Sequence, residues 1–473
     1  MSATKSPETV LRDDSERTGT SIAVSDAGAT SKESTLDNHE NGKKDIITTP
    51  PTSFPDGGLR AWLVVCGGAC TTFATFGFVN SWGVFQSYYE TQVLKDTSSS
   101  AIAWIGSIQY ALIFMPAVLI GRLFDLGWFK LPYAIGSVGL VLSAFLIAQC
   151  TTYWQFILAQ GLLVGASCGI CFGPMIGVVG HWFLRRRGFA LSITAVGSSI
   201  GGTVLPIVTR ELLPRVGKKK VHSQGRIAVL LCCLTVSLSL RFQWTMRILG
   251  VILAFVLGVG NLTMKRRLPA KNVAGGLFNF KALKSPAFTI FCCSTLVAFL
   301  GMYTLLTFIS SSAVAVGIPQ GFSFYLVSIS NAGSGLGRIT AGLIVDKIGA
   351  VNNIVPMTVA AALITYLWPL AHTQNAYIAV AALYGFTSAA YVSTFQLPLY
   401  ELGELEDVGR RAGMVMTFAA FGAIAGPPIS GAILHASGGF SAVGYYAASM
   451  MLLACLLIMT TRHLVLGKFW GKF

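Results

Sequence analysis

The sequence predicts an all-α integral membrane protein, with twelve transmembrane helices arranged as two six-helix bundles. Three observations carry that expectation. About a dozen apolar segments fill the chain from Trp62 to its C-terminal end, each near the ~20 residues that a helix needs to cross the hydrocarbon core of a bilayer. Hydrophobic residues make up 53% of the chain and charged residues only 11%, where a soluble domain carries roughly 25% charged residues. Lys and Arg concentrate in alternate loops, the pattern that the positive-inside rule imposes on a multi-span chain.

The elements follow in order. Residues 1–54 hold nine acidic and six basic residues and no apolar stretch. They read as a disordered cytoplasmic tail rather than a signal peptide. Spans at 61–86, 101–124, 131–150, 154–179 and 188–209 belong to an N-terminal bundle that starts at residue 55 and runs to 217. A sixth span, within 242–264, completes it. A basic inter-bundle loop, 265–286, leads to a C-terminal bundle over 287–465. Its spans lie at 287–310, 321–345, 351–370, 376–399, 411–434 and 440–461.

Orientation comes from the loops. Arg122 and Lys130 separate spans two and three, and Arg185, Arg186 and Arg187 separate four and five. Lys265, Arg266 and Arg267 follow six, Lys347 follows eight, and Arg410 and Arg411 follow ten. The alternate loops are nearly bare. Both termini are therefore expected in the cytoplasm, which requires an even number of spans.

One stretch breaks the alternation. Lys218, Lys219, Lys220 and Arg226 lie where an outer loop is expected, followed by the apolar run 227–240, which is short for a span. Residues 218–241 are read as an insertion on or near the outer face. A retained intron and a genuine re-entrant segment are both open readings.

Composition also excludes functions. The net charge is +15, and beyond the tail there are 28 basic and ten acidic residues. Because the basic residues sit between spans, their expected partner is anionic lipid rather than nucleic acid. Most of the ten cysteines lie inside apolar runs and form no metal or disulfide pattern. No phosphate-binding glycine loop or nucleophile–base motif stands out. No cofactor or metal is expected, and neither an enzyme nor an ATP-driven pump is supported.

Two related motifs mark the ends of spans two and eight. The first holds Gly121, Arg122, Asp125 and Gly127, and the second Gly342, Asp346, Lys347 and Gly349. In each, a glycine precedes an aspartate by four residues and another glycine closes the turn. Recurrence at the same place in both halves resembles the loop motif of the major facilitator superfamily. The segments PDGGLRAW (55–62) and HWFLRRRGFALSITAVGSSIGG (181–202) are similar to motifs of its monocarboxylate porter family, particularly the fungal members. The resemblance implies the major facilitator fold and alternating access, with a solute bound between the bundles. It implies a small organic solute, in the first place a monocarboxylate or related organic anion. Export of a fungal secondary metabolite is the alternative, and a transporter-like solute sensor is the rival from another class. A monomer in the plasma membrane is expected.

Animal members of that family place a Lys in span one and an Asp–Arg pair in span eight. Here the corresponding positions read as Asn80, Ser334 and Arg338, so only the arginine remains. Every Asp or Glu outside the tail lies at a span end or in a loop, which leaves no carboxylate deep in the membrane for proton coupling. Arg338 has two open readings, a carboxylate anchor or part of the span-eight latch with Asp346. Asn80, Asn331, Tyr384, Tyr391 and Gln396 are the further candidates to touch solute. Gly121, Arg122, Asp125, Gly342, Asp346 and Lys347 are the candidate latch. Small residues in spans five and eleven, and Pro427 and Pro428, suit sliding contacts between helices.

Overall fold

A computed structural model describes residues 54–215, 242–268, 280–403, 408–468 and 471. The tail up to residue 53, the 218–241 insertion and half of the inter-bundle loop lie outside the described residues. Twelve long helices follow one another: α1 (Leu59–Gln86), α2 (Ala101–Asp125), α3 (Lys130–Ile147), α4 (Tyr153–Gly180), α5 (Arg187–Leu212), α6 (Phe242–Thr263), α7 (Pro286–Ala315), α8 (Tyr325–Ile348), α9 (Ala350–Leu370), α10 (Gln374–Tyr400), α11 (Val408–Ser437) and α12 (Phe440–Leu466).

Eleven of these are long and apolar enough to cross a membrane. The exception is α8, which has the length but carries Ser328, Ser330, Asn331, Ser334 and Arg338 along one buried face. It tolerates them because it is packed between α5 and α10, where polar groups meet protein instead of lipid. Its opposite face exposes Leu336, Ile339 and Leu343, as a lipid-facing surface requires.

Helix ends are set by local chemistry. The Ser98 and Thr373 side chains accept the amides of Ala101 and Ala376, each at 3.3 Å, and Thr152 with Gln155 forms a capping box. Gly127 and Gly349 close the turns after α2 and α8 with φ of 98° and 95°. A side chain would strain that left-handed backbone, which is why glycine ends both motifs.

The helices pack as two groups. In the first, α1 touches α4, α5 and α6, and α3 touches α4 and α6. In the second, α7 touches α11 and α12, and α9 touches α10 and α12. The groups meet along two seams, α2 against α11 and α5 against α8.

Candidate functional site

A cavity of about 830 Å³ lies between the two groups, at the end remote from Asp125 and Asp346. Six helices wall it: the second halves of α1, α5, α7 and α11 and the first halves of α2 and α8. Its size falls in the range that holds drug-sized ligands. Both α1 and α7 break where they reach it. The α1 helix stops at Asn80 and restarts at Trp82, and α7 stops at Met302 and restarts at Thr304. Asn80, Trp82 and Tyr303 at these breaks all line the cavity.

The floor is a polar layer where α1 and α2 meet α8, continued beneath by a seam between α5 and α8. Asn80 Nδ2 donates to Asn331 Oδ1 at 3.4 Å, and the Tyr110 hydroxyl donates to Asn80 Oδ1 at 3.1 Å. Below them Ser199 Oγ meets Ser334 Oγ at 3.3 Å. Below that again lies Arg338, 9% exposed, donating through Nε to Ser334 Oγ and through Nη1 to the Ala195 carbonyl, both at 3.1 Å. Arg338 therefore ties α8 to α5 and does not line the cavity.

The other end of the molecule is closed by two matching contacts. The Asp346 carboxylate accepts the Gly188 amide at 2.8 Å and the Phe189 amide at 2.9 Å, capping the first turn of α5 from α8. Those amides have no partner within their own helix, and the helix dipole favours negative charge there. The Asp125 carboxylate of α2 lies against Gly409 in the first turn of α11. A Cβ built on Gly409 would fall 2.3 Å from Asp125 Oδ1, and one built on Gly121 would fall 2.5 Å from the Gly409 carbonyl. On the α5–α8 side, a Cβ on Gly188 would meet Val345 at 2.3 Å and one on Gly342 would meet Ser192 at 2.6 Å. Glycine at 121 lets α2 touch the backbone of α11, and glycine at 188, 342 and 409 leaves room for the side chains of Val345, Ser192 and Asp125. Arg122 is half-buried one turn before Asp125, and Lys347 is exposed beside Asp346.

Further contacts brace this end. Asp56 Oδ1 accepts the amides of Leu184 and Arg185 at 2.7 and 2.8 Å, and that of Arg186 at 3.4 Å. Trp182 Nε1 donates to the Lys265 carbonyl at 2.8 Å. Arg187, one of three arginines whose position suggests only membrane topology, is buried with its guanidinium 4.0 Å from the centre of the Tyr400 ring. His181 packs on Phe124, with ring centroids 5.1 Å apart. Burial, reinforced by Arg266, Arg187 and Arg267, pulls its pKa down to about 3, so it is neutral at physiological pH.

The sequence candidates are thus dispersed. Asn80 and Asn331 share the cavity floor, and Arg338 lies beneath it. Tyr384 is buried behind the wall, its hydroxyl donating to the Met302 carbonyl. Tyr391 is buried and stacked on Phe395, ring centroids 5.7 Å apart. Gln396 borders a separate cavity of about 90 Å³ at the latched end. Sequence reasoning missed Trp104, Tyr303, Phe308, Phe324, Glu90 and His435 in the large cavity, and Gly188 and Gly409 in the latches. The latch partners had a signal, since Gly188 follows Arg185, Arg186 and Arg187 at a helix start and Gly409 directly precedes Arg410 and Arg411. Among the described residues no three His, Cys, Asp or Glu side chains come together as a metal-binding group.

Comparison with known proteins agrees with this arrangement. The family model of the Major Facilitator Superfamily matches residues 67–397 and 291–466. The MFS transporter asaE of Aspergillus flavus is 34% identical over 418 residues, which cover 87% of this chain and 89% of that protein. The aspyridones efflux protein apdF of Emericella nidulans is 32% identical over 443 residues, covering 92% and 86%. The agnestins efflux protein of Paecilomyces divaricatus is 30% identical over 413 residues, covering 87% and 89%. Among solved structures, the human organic anion transporter MFSD10 superposes with a TM-score of 0.63 at 15% identity, covering 84% of this chain and 98% of that one. A variant of the E. coli fucose:proton symporter FucP gives 0.62 at 16%, with the same coverage. At these identities the solved structures share the fold alone.

Proposed function

Because the chain belongs to the Major Facilitator Superfamily, and so transports a small organic solute across a membrane, we propose that it exports a fungal secondary metabolite by alternating access. The observation that carries this reading is a large cavity between the bundles, open at one end, while at the other Asp346 caps the start of α5 and Asp125 lies against the start of α11. The kinship with proteins described as aspyridones and agnestins efflux proteins favours export over uptake. Within the superfamily, PDGGLRAW and the 181–202 segment support membership in the monocarboxylate porter-like group.

The latched end carries the basic loops, which supports a cytoplasmic position for it and for both termini. On that reading the cavity faces outward in this structure. The plasma membrane is the proposed site of action, and one chain, with an N-terminal bundle through residue 264 and a C-terminal bundle over 287–465, is the proposed transporting unit. Asn80 and Asn331 contact the solute, and Asp125 and Asp346 hold the inner end shut. To export, the inner latches open, the solute enters between the bundles, and reclosure releases it outward.

The test is deletion of the gene in its native host, with metabolites measured in cells and medium. Export predicts one compound that accumulates inside the cells and falls in the medium, restored by the wild-type gene. An unchanged distribution of every metabolite overturns the reading.

A further inference from the structure

The chemistry of the cavity wall identifies the kind of solute, on the premise that transport runs through this cavity. Six aromatic side chains face it: Trp82, Trp104, Tyr110, Tyr303, Phe308 and Phe324. Its floor presents two neutral amides, Asn80 and Asn331, joined only by a 3.4 Å hydrogen bond, at the long end of the useful range and easily exchanged for a bond to a ligand. Among the described residues that line it, the acidic and imidazole side chains are Glu90 and His435, and none is Lys or Arg.

The two nearby cations do not line the cavity. Arg338 lies under the floor, bonded to Ser334 and to the Ala195 carbonyl. The Arg210 guanidinium rests 4.5 Å from the Tyr325 ring centre and 5.5 Å from that of Phe324, and it does not border the cavity. A carboxylate entering here would shed water without meeting a cation on the wall, an unfavourable exchange. Glu90, held by Gln86 at 3.0 Å, would add like-charge repulsion. An uncharged ring system loses nothing of this kind and gains stacking on the wall.

We propose that the solute is an uncharged aromatic amphiphile bearing a hydrogen-bonding group such as an amide, lactone or phenol. Its rings lie against the aromatic wall, and its polar group takes the place of the Asn80–Asn331 bond. Asn331 is the specificity-determining residue. This replaces the organic anion that the resemblance to monocarboxylate porters implies.

The test uses the full chain in lipid nanodiscs and calorimetric titration at neutral pH. The probes are three matched pairs: 2-naphthamide with 2-naphthoate, cinnamamide with cinnamate, and coumarin with coumarin-3-carboxylate. The expected result is uncharged members binding about tenfold more tightly than their acids. Asn331→Leu lowers the affinity of the uncharged members about fivefold, in line with the loss of one or two neutral hydrogen bonds, and leaves the acids unchanged. Asn331→Gln restores part of the loss, which a packing defect would not allow. Arg338→Gln leaves the preference intact. Acids binding as tightly as their partners, a preference that collapses in Arg338→Gln, or no binding of any uncharged probe to folded protein overturns the proposal. Export is read separately by metabolite retention in the deletion strain. Acid preference with retention intact therefore overturns the charge assignment and leaves the export reading standing.

Discussion

Asp346 shows how much of this molecule rests on single polar groups. Its carboxylate satisfies two amides that α5 leaves open. Hydrogen bonds to a charged group contribute roughly 1.5–3 kcal/mol, so Asp346→Asn is expected to shift the latched population by about tenfold or more. A cysteine placed at Ser107, which lines the outer cavity, would report this as slower labelling by a membrane-impermeant thiol reagent. Asp56 has a similar role in a strained setting. It sits at φ 48°, rare for a residue with a side chain, and three amides converge on its Oδ1. Asp56→Ala keeps the strain and loses the bonds, so its thermal midpoint should fall below that of Asp56→Gly, which also loses the bonds but relaxes the backbone. His181 supplies a pH prediction. Its pKa falls from 6.5 to about 3 on folding, so below the higher value the unfolded chain binds a proton that the folded chain refuses. The stability it allows is complete above pH 6.5 and declines as pH falls toward 3. Replacing it by Gln should therefore raise the thermal midpoint relative to wild type more at about pH 5 than at about pH 7.5.

At the scale of elements, α5 and α11 are the pieces that face both ways. One side of α5 is pressed on α1, where a Cβ on Gly197 would fall 1.9 Å from the Ala69 carbonyl, while Ser199 reaches α8. Likewise α11 packs Gly422 and Gly426 on α7, and Gly413 on α2 across the seam. A branched side chain at a seam glycine should separate the helices without unfolding either bundle. Gly188→Val and Gly409→Val are expected to abolish transport in proteoliposomes, with monodisperse protein still recovered from the membrane. If either variant transports at the wild-type rate, the close contacts at these glycines are not needed for closure. The α8 helix teaches a separate point. Its low hydropathy would argue against a span if its residues were averaged, yet the polar groups lie on one face and the leucines on the other.

Across the whole molecule, the fold was legible because lipid imposes a simple rule, about 20 apolar residues for each crossing, and the chain obeys it nearly throughout. The paired glycine–aspartate motifs were legible for a related reason: the same local turn, closed by Gly127 and Gly349, is written twice. Much of the cavity was not legible. Asn80, Tyr110 and Asn331 are 30 and 221 residues apart in succession, and no local spacing announces that they will meet. Arg338 stood out in the sequence as a cation inside a span, but a buried cation can serve a ligand or a neighbouring helix, and only its bonds to Ser334 and Ala195 distinguish the two. Removing it should weaken the α5–α8 seam. Arg338→Ala is expected to lower the thermal midpoint by several degrees, corresponding to about 1–3 kcal/mol for the orphaned partners.

The amino-acid order by itself determined that this chain crosses a membrane many times in two similar halves, because burial in hydrocarbon depends on composition along each segment and on nothing distant. It also determined which turns carry the aspartates. Only the tertiary structure decided what those aspartates hold and which side chains enclose the solute. Both depend on helices from opposite halves coming within a hydrogen bond of each other, and that proximity is a property of packing rather than of sequence neighbourhood.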